Sequence, residues 1–513
     1  MKTNHSESLW DMTPPAKEYP PLDQEQETDV VVIGGGITGV TAALKLAEAG
    51  KKVILLEQHR IGSGTTGGSS AHLTEDLDCG YSTIISNFGL DEAKLVAAAS
   101  RNAIDHIQQR VEAHGLNCQF ERIPGWLVAE SEEQVEELDE EHAAAHEAGV
   151  DVVMEQSVPL PYSVARGLRF RHQAKFDSLA YVRGLAAEAA RRGVRIFENT
   201  HVVKVDDGEP CVVHLSSGAT VKATSVFSAT HSPNNWLFLN TKLASYRSYI
   251  AAFPDVPLAN ALFWDLSQPY HYLRCATMNG QRYVLVGGED HKTGTEDEAH
   301  HIQQLVDWAR GHLRAGKPAF TWSAQLLESV DGLPYIGRNS ASKHVYVCTG
   351  LSGHGLTLGT AGALLVSDLI LGLDSPFASV FSATRIKPIA SLVPFVKENV
   401  DFPAHLIGDR LTAPPVESIA DIGRGEGKVV RVEGRRVAVY RDTENGLHAV
   451  SGVCTHMGCL VKFNDLEKTW DCPCHGSRFD VSGDILDGPA TKKLEKLEVR
   501  DSLPPLRKTG SNT

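Results

Sequence analysis

The sequence predicts a mixed α/β chain: a dinucleotide-binding domain followed by a small all-β domain built around a metal centre. Three observations carry this. A short apolar strand, Asp29–Ile33, runs directly into the glycine turn Gly34-Gly-Gly36-Ile-Thr-Gly39, followed by a helix and a second strand that ends in Glu57. Two cysteine–histidine half-sites, Cys454-Thr-His456 and Cys472-Pro-Cys-His475, flank the fifteen residues 457–471. Between these regions, Pro388–Pro415 carries five prolines and little periodicity, as a linker does.

With 513 residues, 42% of them hydrophobic, the chain has room for two or three domains with a large core. A net charge of −15 argues against nucleic acid and anionic membrane surfaces as partners. No apolar run reaches the roughly 18 residues of a membrane span. The N-terminus is polar and proline-containing rather than signal-like. These features read as a soluble, cytoplasmic protein. Nine scattered cysteines do not make a secreted disulfide scaffold. Cys79, Cys118, Cys211, Cys275 and Cys348 read as ordinary thiols.

Residues 1–27 form an N-terminal arm that is either disordered or held by its one large aromatic, Trp10. From Asp29 the order is strand, glycine turn, helix (Val40–Ala49), strand (Lys52–Leu56), acid. Gly34, Gly36 and Gly39 let backbone and helix N-terminus approach a pyrophosphate, and Glu57, 18 residues after Gly39, is placed to accept from a ribose hydroxyl. Ile61–Thr74 (Ile-Gly-Ser-Gly-Thr-Thr-Gly-Gly-Ser-Ser-Ala-His-Leu-Thr) has the small and hydroxyl residues, Thr65 and Thr66 among them, that let a loop lie against a flavin.

Placed directly after the ribose acid, this stretch resembles the D-amino-acid-oxidase-like FAD oxidoreductases, which include glycine oxidase and sarcosine oxidase. The resemblance spans about 28–385. It implies an α/β, Rossmann-like FAD domain interleaved with an antiparallel substrate sheet, here about 111–170 and 245–325. It also implies an adenine contact near Val202 or Val203, and a substrate carboxylate held by an arginine and tyrosines. Tyr270-His-Tyr-Leu-Arg274 alternates, so Tyr270, Tyr272 and Arg274 share a face, and Arg274 and Tyr272 become the candidate substrate residues. His291, after the strand Gln281–Gly288, is a candidate base. The strand ending at Gly350 turns through Gly353 and Gly355 to Leu356, and a helix begins at Thr357. Its N-terminus would stabilise negative charge on the reduced flavin pyrimidine. No cysteine stands where some sarcosine oxidases attach flavin, so FAD is expected to be non-covalent.

Other segments read more plainly. Residues 91–113 and 131–149 are amphipathic helices, and Glu121–Glu130 a strand at a sheet edge. Asp139, His142 and His146 share a helix face that reads as solvated rather than metal-binding. Phe176–Arg192 is a helix and Val194–Phe197 a strand. His201–Val205, Cys211–Leu215 and Thr220–Ala223 form a meander before a parallel strand, Ser225–Ala229.

Residues 386–415 are the expected linker and 416–505 the small all-β domain, with strands at Val429–Val432, Arg436–Tyr440 and Leu447–Val450. Two thiolates and two imidazoles at this spacing suit a [2Fe–2S] centre, Cys454 and Cys472 on one iron, His456 and His475 on the other. The same set suits zinc, although zinc fingers group like ligands. A hairpin of Leu460–Phe463 and Lys468–Asp471 would bring the ligand loops together. The stretch resembles the Rieske family, including its Gly488-Pro489-Ala490 loop. That resemblance implies that Cys459 and Cys474 lie close together and can pair. It also places Ser477 where a serine donates to a cluster sulfide, and Phe479 where others carry a tyrosine.

The expected function is FAD-dependent oxidation of an amine or amino acid, with electrons relayed from flavin to cluster and on to an external acceptor. Two alternatives remain: a reductase with an external donor feeding the cluster, and a non-enzymatic redox sensor.

Overall fold

The computed structural model describes residues 8–14, 17–233, 237–295, 298–387 and 419–499. The expected linker, 386–415, lies outside the described residues except for its first two positions. The chain divides into two compact units: Met1–Lys292 with His300–Glu398, and Asn399–Thr513 with the short stretch Thr293–Ala299.

The first unit holds two sheets. One runs Tyr335–Arg338, Val345–Thr349, Thr220–Ser228, Gln26–Ile33, Val53–Leu56, Arg195–Phe197. The last five strands are parallel, and Tyr335–Arg338 closes one edge antiparallel. The central runs Val30–Ile33 and Val53–Leu56 are wholly valine, isoleucine and leucine and buried, as strands covered on both faces must be. The helices Ile37–Glu48, Leu90–His114, Ser178–Arg191 and Thr357–Ile370 bury their apolar stripes in the core of this unit. The expected break at Ser225 is absent. Thr220–Ser228 is one strand, pairing along its length with Gln26–Ile33 and through its first half with Cys211–Leu215.

The second sheet runs Phe320–Ser329, Leu243–Pro254, Gln281–Lys292, His271–Met278, Leu262–Asp265, Glu121–Ala129, Arg166–Lys175, His72–Leu73. It is antiparallel except where Leu262–Asp265 meets Glu121–Ala129. Glu121–Ala129 is therefore interior rather than an edge, and its five-residue buried run, Gly125–Ala129, agrees with that. On the Val135–Glu147 helix, Asp139 pairs with Arg166 at 3.0 Å and His146 is exposed, in keeping with a solvated face.

The arm before the first strand is anchored. Leu9 and Trp10 are buried in the core, and the Trp10 indole N–H donates to Ser69 O at 2.7 Å. Thr13 donates to Asp177, and the Tyr19 and Leu22 amides donate to Glu198 and Thr200.

The second unit is all-β: a sheet of Gly427–Val432, Arg435–Arg441 and Leu447–Ser451, and another of Lys462–Asn464, Thr469–Asp471, Arg478–Asp480 and Ile485–Asp487. Trp470 and Phe479, both fully buried, pair across neighbouring strands at its centre. Among the described residues no helix is long and apolar enough to cross a membrane.

Candidate active site and metal centre

The glycine turn is shaped by close approach. Gly34 has φ +107°, and a Cβ there would sit 2.4 Å from Ala229 O, so only glycine fits. A Cβ on Gly39 would lie 1.9 Å from Gly34 O. Gly36 begins the Ile37–Glu48 helix with no capping side chain, and Thr66 Oγ1 accepts from the Ile37 N–H at 3.1 Å. The Glu57 carboxylate accepts from Gly35 N at 2.6 Å and His59 N at 2.8 Å. Burial pushes its pKa up against these two donors. A side chain on Gly36 would project toward Thr66, into the space that a pyrophosphate needs. Thr65 begins the short Thr65–Gly68 helix, and Val203 lies in the Val202–Asp206 strand. Thus the donor-rich cradle and its acid fit a dinucleotide.

The second glycine loop leads into the Thr357–Ile370 helix, which packs closely on the first: a Cβ on Gly359 would lie 2.4 Å from Thr38 Oγ1. Ser352–His354 makes one tight turn, with Gly355 and Leu356 between it and Thr357. Asp78 Oδ2 accepts from Gly353 N at 2.7 Å, and Asp78 Oδ1 lies 2.8 Å from His354 Nε2. Burial alone would lower the His354 pKa, but the Asp78 carboxylate outweighs it and raises it. The two helix N-termini thus stand side by side, each preceded by a loop of small residues.

One face of the antiparallel sheet looks toward the 68–72 loop: Trp322 Nε1 donates to Gly68 O at 2.9 Å, and Ala324 Cβ lies 3.4 Å from the Cβ position of Gly68. On this face Tyr272 sits edge-on to His72 at 5.5 Å, over Gly287, where a Cβ would meet its ring at 2.1 Å. Tyr272 OH lies 3.2 Å from Ser248 Oγ, and the Tyr270 ring is 6.0 Å away. Burial lowers the His72 pKa to about 3, so the imidazole is neutral.

Arg274 shares the strand but faces other partners. It is 3% exposed, and its guanidinium donates to the carbonyls of Ser70 (3.1 Å), Ala71 and Phe176 (3.2 Å) while lying 5.3 Å from the Trp10 ring centre. It clamps the loop beside the glycine cradle rather than presenting donors to a ligand. His291 is likewise not in a loop. It lies in the Gln281–Lys292 strand on the opposite face, with Nε2 3.1 Å from Tyr249 OH and its ring 4.2 Å from that of His301. Burial lowers its pKa to about 3.

Sequence reasoning missed Asp290. Between the pairs Arg247↔His291 and Tyr249↔Gly288 the ladder slips, so that Glu289 and Asp290 stand opposite Ser248 alone. Gly288 (φ +136°) and Glu289 (φ +56°) make the bulge. It reverses the alternation: Glu289 turns to His271 (3.5 Å) and His301 (3.6 Å), and Asp290 turns to Tyr270, whose OH donates to it at 2.9 Å. The signal was the Gly287-Gly288 pair before two acids.

In the second unit the two half-sites fold into matching loops. Cys454 N–H donates to Cys459 O at 2.8 Å and Gly458 N–H to Cys454 O at 3.0 Å; Cys472 N–H donates to Ser477 O at 2.8 Å and Gly476 N–H to Cys472 O at 2.9 Å. The hairpin that joins them pairs Phe463 with Trp470, with Asn464 Oδ1 closing the turn onto Glu467 N. Cys454 and Cys472 are buried at 2% exposure, within hydrogen-bond reach of each other. His456 and His475 are half-buried, their ring centres 4.9 Å apart. Cys459 and Cys474 form a disulfide that ties the loops. Ser477, fully buried, accepts from Ala490 N at 3.0 Å, and its side chain also reaches Cys454. Two buried thiols behind two outer imidazoles fit a two-iron centre of unlike ends better than a single tetrahedral ion.

These two sites define a flavin-dependent oxidoreductase with an iron–sulfur domain. The chain belongs to the FAD dependent oxidoreductase family, which matches residues 29–369, and carries a Rieske [2Fe-2S] domain over residues 412–498. FAD and a [2Fe–2S] cluster are the cofactors these domains imply. The chain is similar to YhfW of Bacillus subtilis, whose name describes a Rieske 2Fe-2S iron-sulfur protein: 33% identity over 498 residues, 96% of this chain and 98% of that one. It is also similar to gamma-glutamylputrescine oxidoreductase of Escherichia coli, at 24% identity over 72% of this chain and 90% of that one. The fold matches crystalline glycine oxidase from Geobacillus kaustophilus with a TM-score of 0.59, at 20% identity, covering 70% of this chain and 99% of that one. The chain is an FAD-dependent oxidoreductase with a Rieske domain.

Proposed function

We infer that the protein dehydrogenates an amine or amino acid and passes the electrons through its cluster to an external acceptor. The observation that carries this is the presence, on one chain, of a flavin cradle facing a tyrosine-lined sheet and of a complete four-ligand iron–sulfur site. The names of two similar proteins, an oxidoreductase of gamma-glutamylputrescine and an oxidase of glycine, support the substrate class.

When bound, FAD supplies hydride acceptance and the cluster supplies single-electron transfer. Gly34, Gly36 and Gly39 would leave room for the pyrophosphate, Glu57 and Val203 would hold the adenosine half, and Thr65 and Thr66 would line the ring. Gly353, Gly355, Leu356 and Thr357 present helix N-terminal amides, which favour negative charge. Cys454 and Cys472 would hold the inner iron, and His456 and His475 the outer one. Tyr270 and Tyr272 orient the substrate from the sheet, and Trp10 and Arg274 hold the 69–71 loop in place.

The test is an anaerobic screen of amines, amino acids and hydroxy acids for flavin bleaching, followed by turnover with an artificial acceptor. Bleaching by an amine or amino acid supports the reading; bleaching by hydroxy acids alone contradicts it.

A further inference from the structure

We propose that Asp290 binds the ammonium group of the substrate and takes its proton, so that the site selects an amine lacking an α-carboxylate. This rests on the amine or amino-acid reading above and narrows it.

The bulge is the first ground. A regular strand would carry Asp290 to the opposite face; the slip at Gly288–Glu289 sets it beside Ser248, Tyr270 and Tyr272 instead. Bulges commonly re-aim a side chain beside an active site.

The second ground is an unused acceptor. Tyr270 OH donates to Asp290 Oδ2 at 2.9 Å, and the Ser248 hydroxyl lies near the carboxylate. Asp290 Oδ1 is buried with no hydrogen-bond partner among the described residues. A buried carboxylate oxygen left so is unfavourable unless a donor arrives. An ammonium supplies three.

The third ground is the balance of charge around it. The groups facing Asp290 are Tyr270 and Tyr272 from the next strand, Ser248 from the other neighbour, and Asp78 from the loop that holds Gly353; Glu289 lies behind it on the opposite face. Among the described residues, the cationic side chains of this part of the site are already engaged. Arg274 donates to three carbonyls, His72 is neutral, and His354 is paired with Asp78. A carboxylate ligand would therefore meet acid.

The proton step balances simply. The substrate N–H bond breaks, an O–H bond forms at Asp290, and the amine keeps its lone pair, the form from which hydride can leave. Burial, with the charges of Asp78 and Glu289 behind it, pushes the Asp290 carboxyl up to about 7, against the Ser248 and Tyr270 hydroxyls. It can thus hold or release a proton near neutral pH.

The test is a binding measurement on the oxidised, FAD- and cluster-loaded protein, read by the shift of the flavin spectrum, with n-butylammonium and n-butyrate as probes. Wild type should bind butylammonium more tightly than butyrate. That affinity should rise about tenfold from pH 6 to pH 8 as Asp290 loses its proton, while the probe, with a lysine-like pKa of about 10.4, stays charged. Asp290→Asn should retain FAD and iron, bind butylammonium at least about tenfold more weakly, and show no pH dependence. Tyr270→Phe, which removes a donor to the carboxylate, should move the pH midpoint upward. No butylammonium binding by wild type, tighter binding of butyrate, an Asp290→Asn affinity equal to wild type, or an unmoved midpoint in Tyr270→Phe would overturn the proposal. Failure of the broader reading looks different: butylammonium binds as described, yet no amine or amino acid bleaches the flavin.

Discussion

Replacing Arg478 by methionine should destabilise the cluster domain without touching a cluster ligand. Arg478 is 6% exposed, with Nε 3.2 Å from Asp471 Oδ1, Nη1 3.0 Å from Asp487 Oδ2, and Nη2 against Glu467. Asp471 and Glu467 are 1% and 6% exposed, and Asp471 directly precedes the ligand Cys472. Methionine keeps much of the volume but removes the countercharge from two buried carboxylates, which costs about 3–5 kcal/mol. For a domain of ~100 residues, each kcal/mol is worth about 4–8 °C, so the domain's Tm should fall by at least about 12 °C. The assay is thermal loss of the cluster's visible circular dichroism in the full chain, beside Arg435→Met as control. Arg435 pairs with Glu495 at 2.9 Å, but both side chains are more than 60% exposed. An exposed pair is worth less than about 1 kcal/mol. If Arg478→Met melts within about 3 °C of that control, the buried network does not hold the hairpin.

Three further outcomes are expected. Gly36→Val should purify with its cluster but without FAD, read by absorbance and iron content, because the side chain fills the space facing Thr66; retained FAD would contradict the cradle. Protein unfolded anaerobically without reductant should titrate seven thiols from its nine cysteines, since Cys459 and Cys474 are bridged, and a count of nine would mean no bridge. Ser477→Ala should lower the cluster's reduction potential, and Phe479→Tyr raise it, because hydrogen bonds to the sulfurs stabilise the reduced cluster; potentiometric titration that finds no change in either would remove Ser477 from the site.

What the sequence made legible was local. The turn at Gly34–Gly39 and the half-sites at Cys454 and Cys472 are short motifs whose geometry follows from their own residues, and the structure builds both. What it hid was set by distant partners. Arg274 alternates correctly with Tyr272, yet its guanidinium is claimed by carbonyls some 200 residues earlier and by Trp10. Asp290 follows a bulge whose register depends on Leu243–Pro254, so period-two reasoning assigns it to the wrong face. Thr220–Ser228 looked like two strands because, besides Gln26–Ile33, it serves two neighbours in turn: Cys211–Leu215 antiparallel through its first half and Val345–Thr349 parallel at its end.

The central claim is that electrons from the substrate reach the cluster. It is tested most directly by anaerobic mixing of the oxidised protein with an amine that bleaches the flavin, freeze-quenching, and electron paramagnetic resonance of the cluster. The account predicts that the rhombic signal of the reduced cluster grows in as the bleached flavin regains colour. A cluster that stays oxidised while the flavin remains fully reduced would contradict it.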